Sequence, residues 1–219
     1  MTEMVDPLPP LTRLILAYVP VGRRDRDRLI WTLDARLADV VRSTREPMIG
    51  QMRIAWWDEA LSDGAGVKGR GEPLLEAIRA AGLADSAPLR SLLDGWEALL
   101  IDPLDDVTLN SYAAGRGEGL FMALADIPAP PPWLAAAGRL WVYWDLSAHV
   151  GDAAVRQRAV ALAQRELPAL AEASWPREWK ALRLLAGLAR HDIMRGQAGA
   201  AGLTPRLYMR LLRLSVTGG

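Results

Sequence analysis

The sequence predicts an all-α protein, a helical bundle built as a single domain. Three observations carry that expectation. Apolar residues recur at three- and four-residue spacing in segment after segment. No segment alternates apolar and polar positions with β-branched residues in the manner of a strand. Prolines and capping residues fall where such helices would begin or end.

Taken in order, Pro10–Tyr18 reads as a short helix with Leu11, Leu14, Ile15 and Tyr18 on one face, broken by Val19-Pro20-Val21-Gly22. Asp25–Ser43 is a long helix whose stripe is Leu29, Ile30, Leu33, Leu37, Val40 and Val41. After the short link Thr44–Pro47, Glu46–Leu61 starts on a proline, whose missing N–H costs nothing in a first turn, and stops before Gly64 and Gly66. Met48, Met52, Ala55, Trp56 and Glu59 share one side of it, while Trp57 lies about 100° away. Adjacent tryptophans at that angle imply packing on two sides, so this helix is expected to be central. A Gly-rich loop (Asp63–Glu72) leads to a helical piece at Pro73–Ala81 and a helix at Pro88–Leu100, ended by Asp102-Pro103.

Asp105 and Asp106 cap a helix running through Ala125. It contains Gly115, Gly117 and Gly119, each weakening a helix by roughly 1 kcal/mol relative to Ala. Either the glycines allow close helix packing or a break, or they make room for a ligand. The run Gly115-Arg-Gly-Glu-Gly119 is no P-loop, because the Gly-Lys-Ser/Thr ending and the preceding strand are missing. Pro128–Pro132 is a stiff link and a candidate seam. Trp133–Val150 is strongly apolar, Ala153–Leu167 is Ala-rich and ends at Pro168, Arg177–Arg195 follows Trp175-Pro176, and Thr204 caps a last helix starting at Pro205.

Composition narrows the function classes. Lys plus Arg and Asp plus Glu are both 26, a zero balance that gives no support for nucleic-acid binding. With no cysteine, disulfides and thiolate metal sites are excluded. The N-terminus lacks a signal-peptide pattern, being interrupted by Pro7, Pro9 and Pro10, and no apolar run reaches the ~18 residues of a membrane span. A cytoplasmic location is the expectation. No HExxH or CxxC is present, nor a Ser or Cys nucleophile with a local base. Asp145 and His149, at i and i+4, share a helix face. They suit a divalent ion or a protonated His near phosphate; alternatively, a buried Asp–His hydrogen bond orients the helix. Asp34 and Asp39 are five apart and cannot easily grip one ion; Asp58, Glu59 and Asp63 read as solvated charges.

Three stretches resemble the squalene/phytoene synthase family. Tyr18-Val-Pro, then Leu33-Asp-Ala-Arg-Leu-Ala-Asp-Val-Val-Arg42, then Met52-Arg-Ile-Ala-Trp-Trp-Asp-Glu-Ala-Leu61 look like its N-terminal half, where an aspartate-rich helix (D-D-x-x-D) precedes a Trp-Trp helix. Tyr112–Leu124 is similar to its Tyr-to-Gly-Leu helix, and Trp144–Ala153 occupies the place of the second motif, N-x-x-x-D-V-G-E-D. The resemblance implies an isoprenoid-synthase-like helical bundle. In that family two prenyl diphosphates condense head to head, with Mg²⁺ held by the two acidic motifs.

The match departs where that chemistry sits. The first motif reads Ala38-Asp39-Val40-Val41-Arg42, keeping one acid. In the second, Asp145 stands at the Asn place, His149 and Ala153 at the ligand places, and Asp152 alone stays acidic at the intervening Glu place. Substrate-binding candidates are therefore Asp39, Arg42, Asp145, His149 and Asp152. No metal ligand set and no catalytic residue is assigned, and Mg²⁺ belongs only to an active form. Arg42 and His149 are cations that could meet a diphosphate directly. Three readings follow. The first is a non-catalytic binding or assembly factor, as in degenerate members resembling the mitochondrial assembly factor for respiratory complex I. The second is an active prenyl-diphosphate transferase with a rewired site. The third is a lipid-binding or peripheral membrane protein whose cavity is lined by Asp25–Ser43, Glu46–Leu61 and Trp133–Val150. Candidate partners are a prenyl diphosphate, an isoprenoid lipid or a protein.

Overall fold

In a computed structural model the described residues are 8–217, and among them every regular element is helical. Pro7, part of the segment read against a leader, lies outside them. The helices are α1 (Pro10–Leu16), α2 (Arg24–Ser43), α3 (Pro47–Ser62), α4 (Pro73–Ala80), α5 (Ala87–Ala98), α6 (Asp106–Tyr112), α7 (Gly119–Ala125), α8 (Pro132–His149), α9 (Ala153–Glu166), α10 (Lys180–Ile193) and α11 (Pro205–Thr217). A π-helical stretch, Ala113–Glu118, joins α6 to α7, so that Asp106–Ala125 winds without a break.

Local chemistry explains the helix starts. Prolines stand in the first turn of α1, α3, α4, α5 and α8. Carboxylate or hydroxyl caps accept free first-turn N–H groups: Ser86 from Leu89, Asp105 from Thr108, Asp152 from Ala154 and Val155, and Thr204 from Leu207. The expected Arg177–Arg195 helix starts instead as a 3₁₀ turn at Arg177–Trp179. Asp63 is more than a solvated charge. Its carboxylate accepts the backbone N–H groups of Ala65, Val67 and Lys68 and so ties down the Gly-rich loop. Those bonds, that of Lys68 foremost, hold its pKa below the usual carboxylate value.

Buried residues from α1 to α11 form one apolar cluster. Its central rod is α8, buried nearly all round by Leu134, Ala137, Leu140, Trp141, Val142, Tyr143 and Trp144. It packs against α9, the π stretch, α7 and α10. The Trp-Trp helix is not the centre. In α3 only Gly50, Ile54, Trp57, Ala60 and Leu61 are buried, against α2, α4 and α5. Met48 is 72% and Met52 67% exposed, and Trp56 is partly exposed and stacks edge to face on Trp57. An apolar residue on every side of a helix does not say which side is covered. Here the Ile54–Trp57–Leu61 side is, and the methionine side faces solvent.

The glycines of Asp106–Ala125 serve close packing. A Cβ on Gly115 would lie 2.4 Å from Gly95 Cα in α5, and one on Gly119 would lie 2.8 Å from Pro88 O. On the opposite side, a Cβ on Gly138 of α8 would lie 2.2 Å from Gly117 O. The π-containing helix is thus clamped backbone to backbone between α5 and α8. No helix among the described residues is long and apolar enough to cross a membrane.

Candidate functional site

The close clamp around Gly115, Gly117 and Gly138 drives the intervening side chain, Arg116, into the interior, where it is only 5% exposed. A guanidinium there must be paired. Its Nε and Nη2 donate to Asp34 Oδ1 and Oδ2 of α2, at 2.8 and 2.9 Å, in a two-pronged pair. Nη1 donates to Asp145 Oδ2 of α8 and to the Tyr112 hydroxyl oxygen, both at 2.6 Å. Trp96 Nε1 adds a 2.7 Å bond to Asp34 Oδ1. The guanidinium carbon stands 4.3 Å from the ring centre of Trp96 and 5.0 Å from that of Trp141.

Burial alone would lower the pKa of Arg116. Asp34, Tyr112 and Asp145 outweigh it and raise the pKa well above the ordinary arginine value, so the charge is permanent. Burial pushes the Tyr112 phenol up, so it stays neutral.

This cluster lines a cavity of about 370 Å³. Walls come from α1 (Pro10, Leu11), α2 (Trp31, Ala35, Ala38), α8 (Trp141, Trp144) and the approach to α11 (Leu203). Trp144 is fixed by a 2.9 Å bond from Nε1 to Asp192 Oδ2 of α10, and Asp192 also pairs with Arg210 of α11 at 2.5 Å. Trp141 stands edge to face on Trp31, and its buried Nε1 has no acceptor among the described residues. The anticipated walls α2 and α8 are present. The third, α3, contributes no lining residue, because α5 and the segment after it lie between α3 and the cavity, with Leu100 against Gly50 and Leu99 on the lining.

Of the sequence-predicted residues, Asp39, Arg42, Asp145 and His149 all line this cavity. Asp39 and Arg42 are exposed at its mouth and pair with one another. His149 is half exposed. Its Nδ1 donates to the Asp145 backbone oxygen at 2.8 Å and stands 3.7 Å from the carboxylate. The buried Asp–His hydrogen bond considered from the sequence therefore does not form between the side chains; the Asp145 carboxylate bonds to Arg116 instead. Asp152 is not among the lining residues. It caps α9, and the N–H groups of Val155 and Ala154 hold its pKa down.

Sequence reasoning missed Asp34 and Arg116, the most buried charges of the site. A signal existed. Glycines that let helices pack backbone to backbone bring the arginine between them close to the interior, and a buried charge requires partners. Among the described residues no group of three or more His, Cys, Asp or Glu side chains could hold a metal ion. No protein-family model matches the chain, nor does any curated protein or solved structure.

Proposed function

We propose that this protein is a non-catalytic binding factor with a squalene/phytoene synthase-like helical bundle, holding an apolar, isoprenoid-like molecule in the cavity between α2 and α8. One observation carries the reading. The cavity is large enough for a small ligand, about 370 Å³ against the roughly 300–1,000 Å³ typical of ligand sites, yet its carboxylates are committed to arginines.

The residues do not fit the Mg²⁺ cluster that the family resemblance implies. Mg²⁺ that carries a diphosphate needs several free hard oxygens around it. Here Asp34 is paired two-pronged with Arg116, Asp145 gives one oxygen to Arg116, and Asp39 pairs with Arg42. Arg116 occupies the space between the two helices that would present the acids. A diphosphate held there would lack the counter-charge that assists its departure.

The test is incubation with farnesyl or geranylgeranyl diphosphate and Mg²⁺ or Mn²⁺, with inorganic pyrophosphate as the readout. No release above the protein-free control is expected, while farnesol displaces the neutral dye Nile red from the protein. Measurable pyrophosphate release would overturn the non-catalytic reading, and failure of farnesol to displace the dye would overturn the apolar site.

A further inference from the structure

Counting charge around the cavity gives a result that the resemblance does not suggest. The charged lining residues are three carboxylates (Asp34, Asp39, Asp145) against two guanidiniums (Arg42, Arg116). The carboxylates therefore outnumber the guanidiniums by one.

The buried arginine is not available to an anion, and the exposed one already has a carboxylate partner. Arg116 directs four of its five N–H donors to Asp34, Asp145 and Tyr112, and Arg42 pairs with Asp39. The backbone acts in the same direction. Arg42 lies in the last turn of α2, with Asp39 just before it, and His149 is the last residue of α8, so both long helices present their C-terminal, partially negative ends to the mouth. Anions collect at the opposite ends of helices. The first turns of the short α1, at Pro10–Thr12, and of α11, at Leu207, also reach the lining; in α11 the Thr204 hydroxyl already accepts the Leu207 N–H.

The interior already shows which kind of ion it holds. It keeps one cation between two carboxylates and the faces of Trp96 and Trp141. Asp145 Oδ2 takes Arg116, while Oδ1 accepts no hydrogen bond among the described residues; its neighbour is His149 Nδ1 at 3.7 Å, and the Asp145 side chain is 25% exposed.

We propose that the cavity selects amphiphiles whose apolar body carries a protonated amine, seated on Asp145 Oδ1, and that it rejects those with a phosphate or diphosphate head. This rests on the reading above that the cavity holds an apolar molecule, and it specifies the head group. Carboxylate, aromatic walls and helix C-termini together favour a cation.

The experiment is displacement of Nile red from the full chain by four probes sharing one C15 tail: farnesylamine, N-acetylfarnesylamine, farnesol and farnesyl diphosphate. Farnesylamine is expected to bind about ten-fold or more tightly than the diphosphate, and more tightly than farnesol. The acetylated amine, which has lost its charge on an unaltered protein, should match farnesol. In D145N the amine should fall to the level of farnesol. If the diphosphate binds as tightly as the amine, or acetylation leaves amine affinity unchanged, the proposal is overturned while the apolar site stands. If farnesol and the amine both fail to displace the dye, the site itself is overturned. Should D145N not fold, the comparison between the amine and its acetylated form decides alone.

Discussion

Two arginines in this molecule are held in the same way and in different surroundings. Arg116 bridges Asp34 of α2 and Asp145 of α8. Arg139, on α8, bridges Glu118 of the π stretch and Glu166 of α9, meeting Glu166 two-pronged at 2.9 and 2.7 Å. Each ties three helices together with one cation and two anions. Arg116 is buried among indoles beside a cavity, whereas the Arg139 side chain is 28% exposed and is not among the residues lining that cavity. Water can replace the partners of the second arginine but not those of the first, so the same motif should matter very differently in the two places.

A third cluster inverts the composition. Asp27 is one carboxylate facing two arginines, Arg23 at 3.9 Å and Arg26 at 3.3 Å. Both have other partners, Arg23 the Leu124 carbonyl oxygen and Arg26 the Asp126 carboxylate. Burial therefore prevails over the two cations, and the Asp27 pKa rises to about 6. Contacts of 2.6–2.9 Å hold the Arg116 charge in the interior; the looser contacts of Asp27, at 3.3 and 3.9 Å, leave its pKa raised.

The largest expected effect comes from Arg116→Met, which keeps volume and leaves Asp34 in the interior without a counter-cation, held by Trp96 Nε1 alone. A loss of about 4 kcal/mol is expected, or about 10 °C in thermal midpoint for a chain of this size. A drop of only a few degrees would mean that water reaches Asp34. Next is Gly138→Ala. The added carbon would stand 2.2 Å from Gly117 O, so α8 and the π stretch must separate, loosening both arginine bridges at once. About 3 kcal/mol is expected in a denaturant midpoint, and a near-neutral result would show that the helices can slide apart.

Asp27→Asn tests the inverted cluster through pH. In the folded chain Asp27 binds its proton up to about pH 6, while unfolded it releases it near 3.8. Between those values the folded state holds more protons, so stability falls as pH rises from about 4 to about 6, by at most about 3 kcal/mol, and stays lower above. Thermal midpoints of the asparagine variant should gain on the parent between pH 4 and pH 7; a constant difference would mean that the arginines keep Asp27 ionised. The smallest effect belongs to Arg139→Met, about 1 kcal/mol, shrinking further in high salt. If it matched Arg116→Met, burial would not be what separates the two bridges.

Much of the helical layout was legible because helices are written locally. The stripe from Ile30 to Val40, the prolines at helix starts and the Asp105 and Thr204 caps each act within a turn or two of themselves. The site was legible only in part. Asp39, Arg42, Asp145 and His149 reach one cavity, while Asp152 serves a cap whose local geometry needs no ligand. The tryptophan pair misled because the strongest sequence feature of α3 does not say which side a neighbour covers.

By itself, the sequence determined that this chain is helical and nearly where each helix begins. The tertiary structure alone decided that α8 rather than α3 is the central rod, that the three glycines bring backbones together, and that Arg116 meets Asp34 across 82 residues of chain. The reason is physical. Helix formation depends on neighbours a few residues away, but the partner of a buried charge is set by which helices press together and how closely their backbones approach.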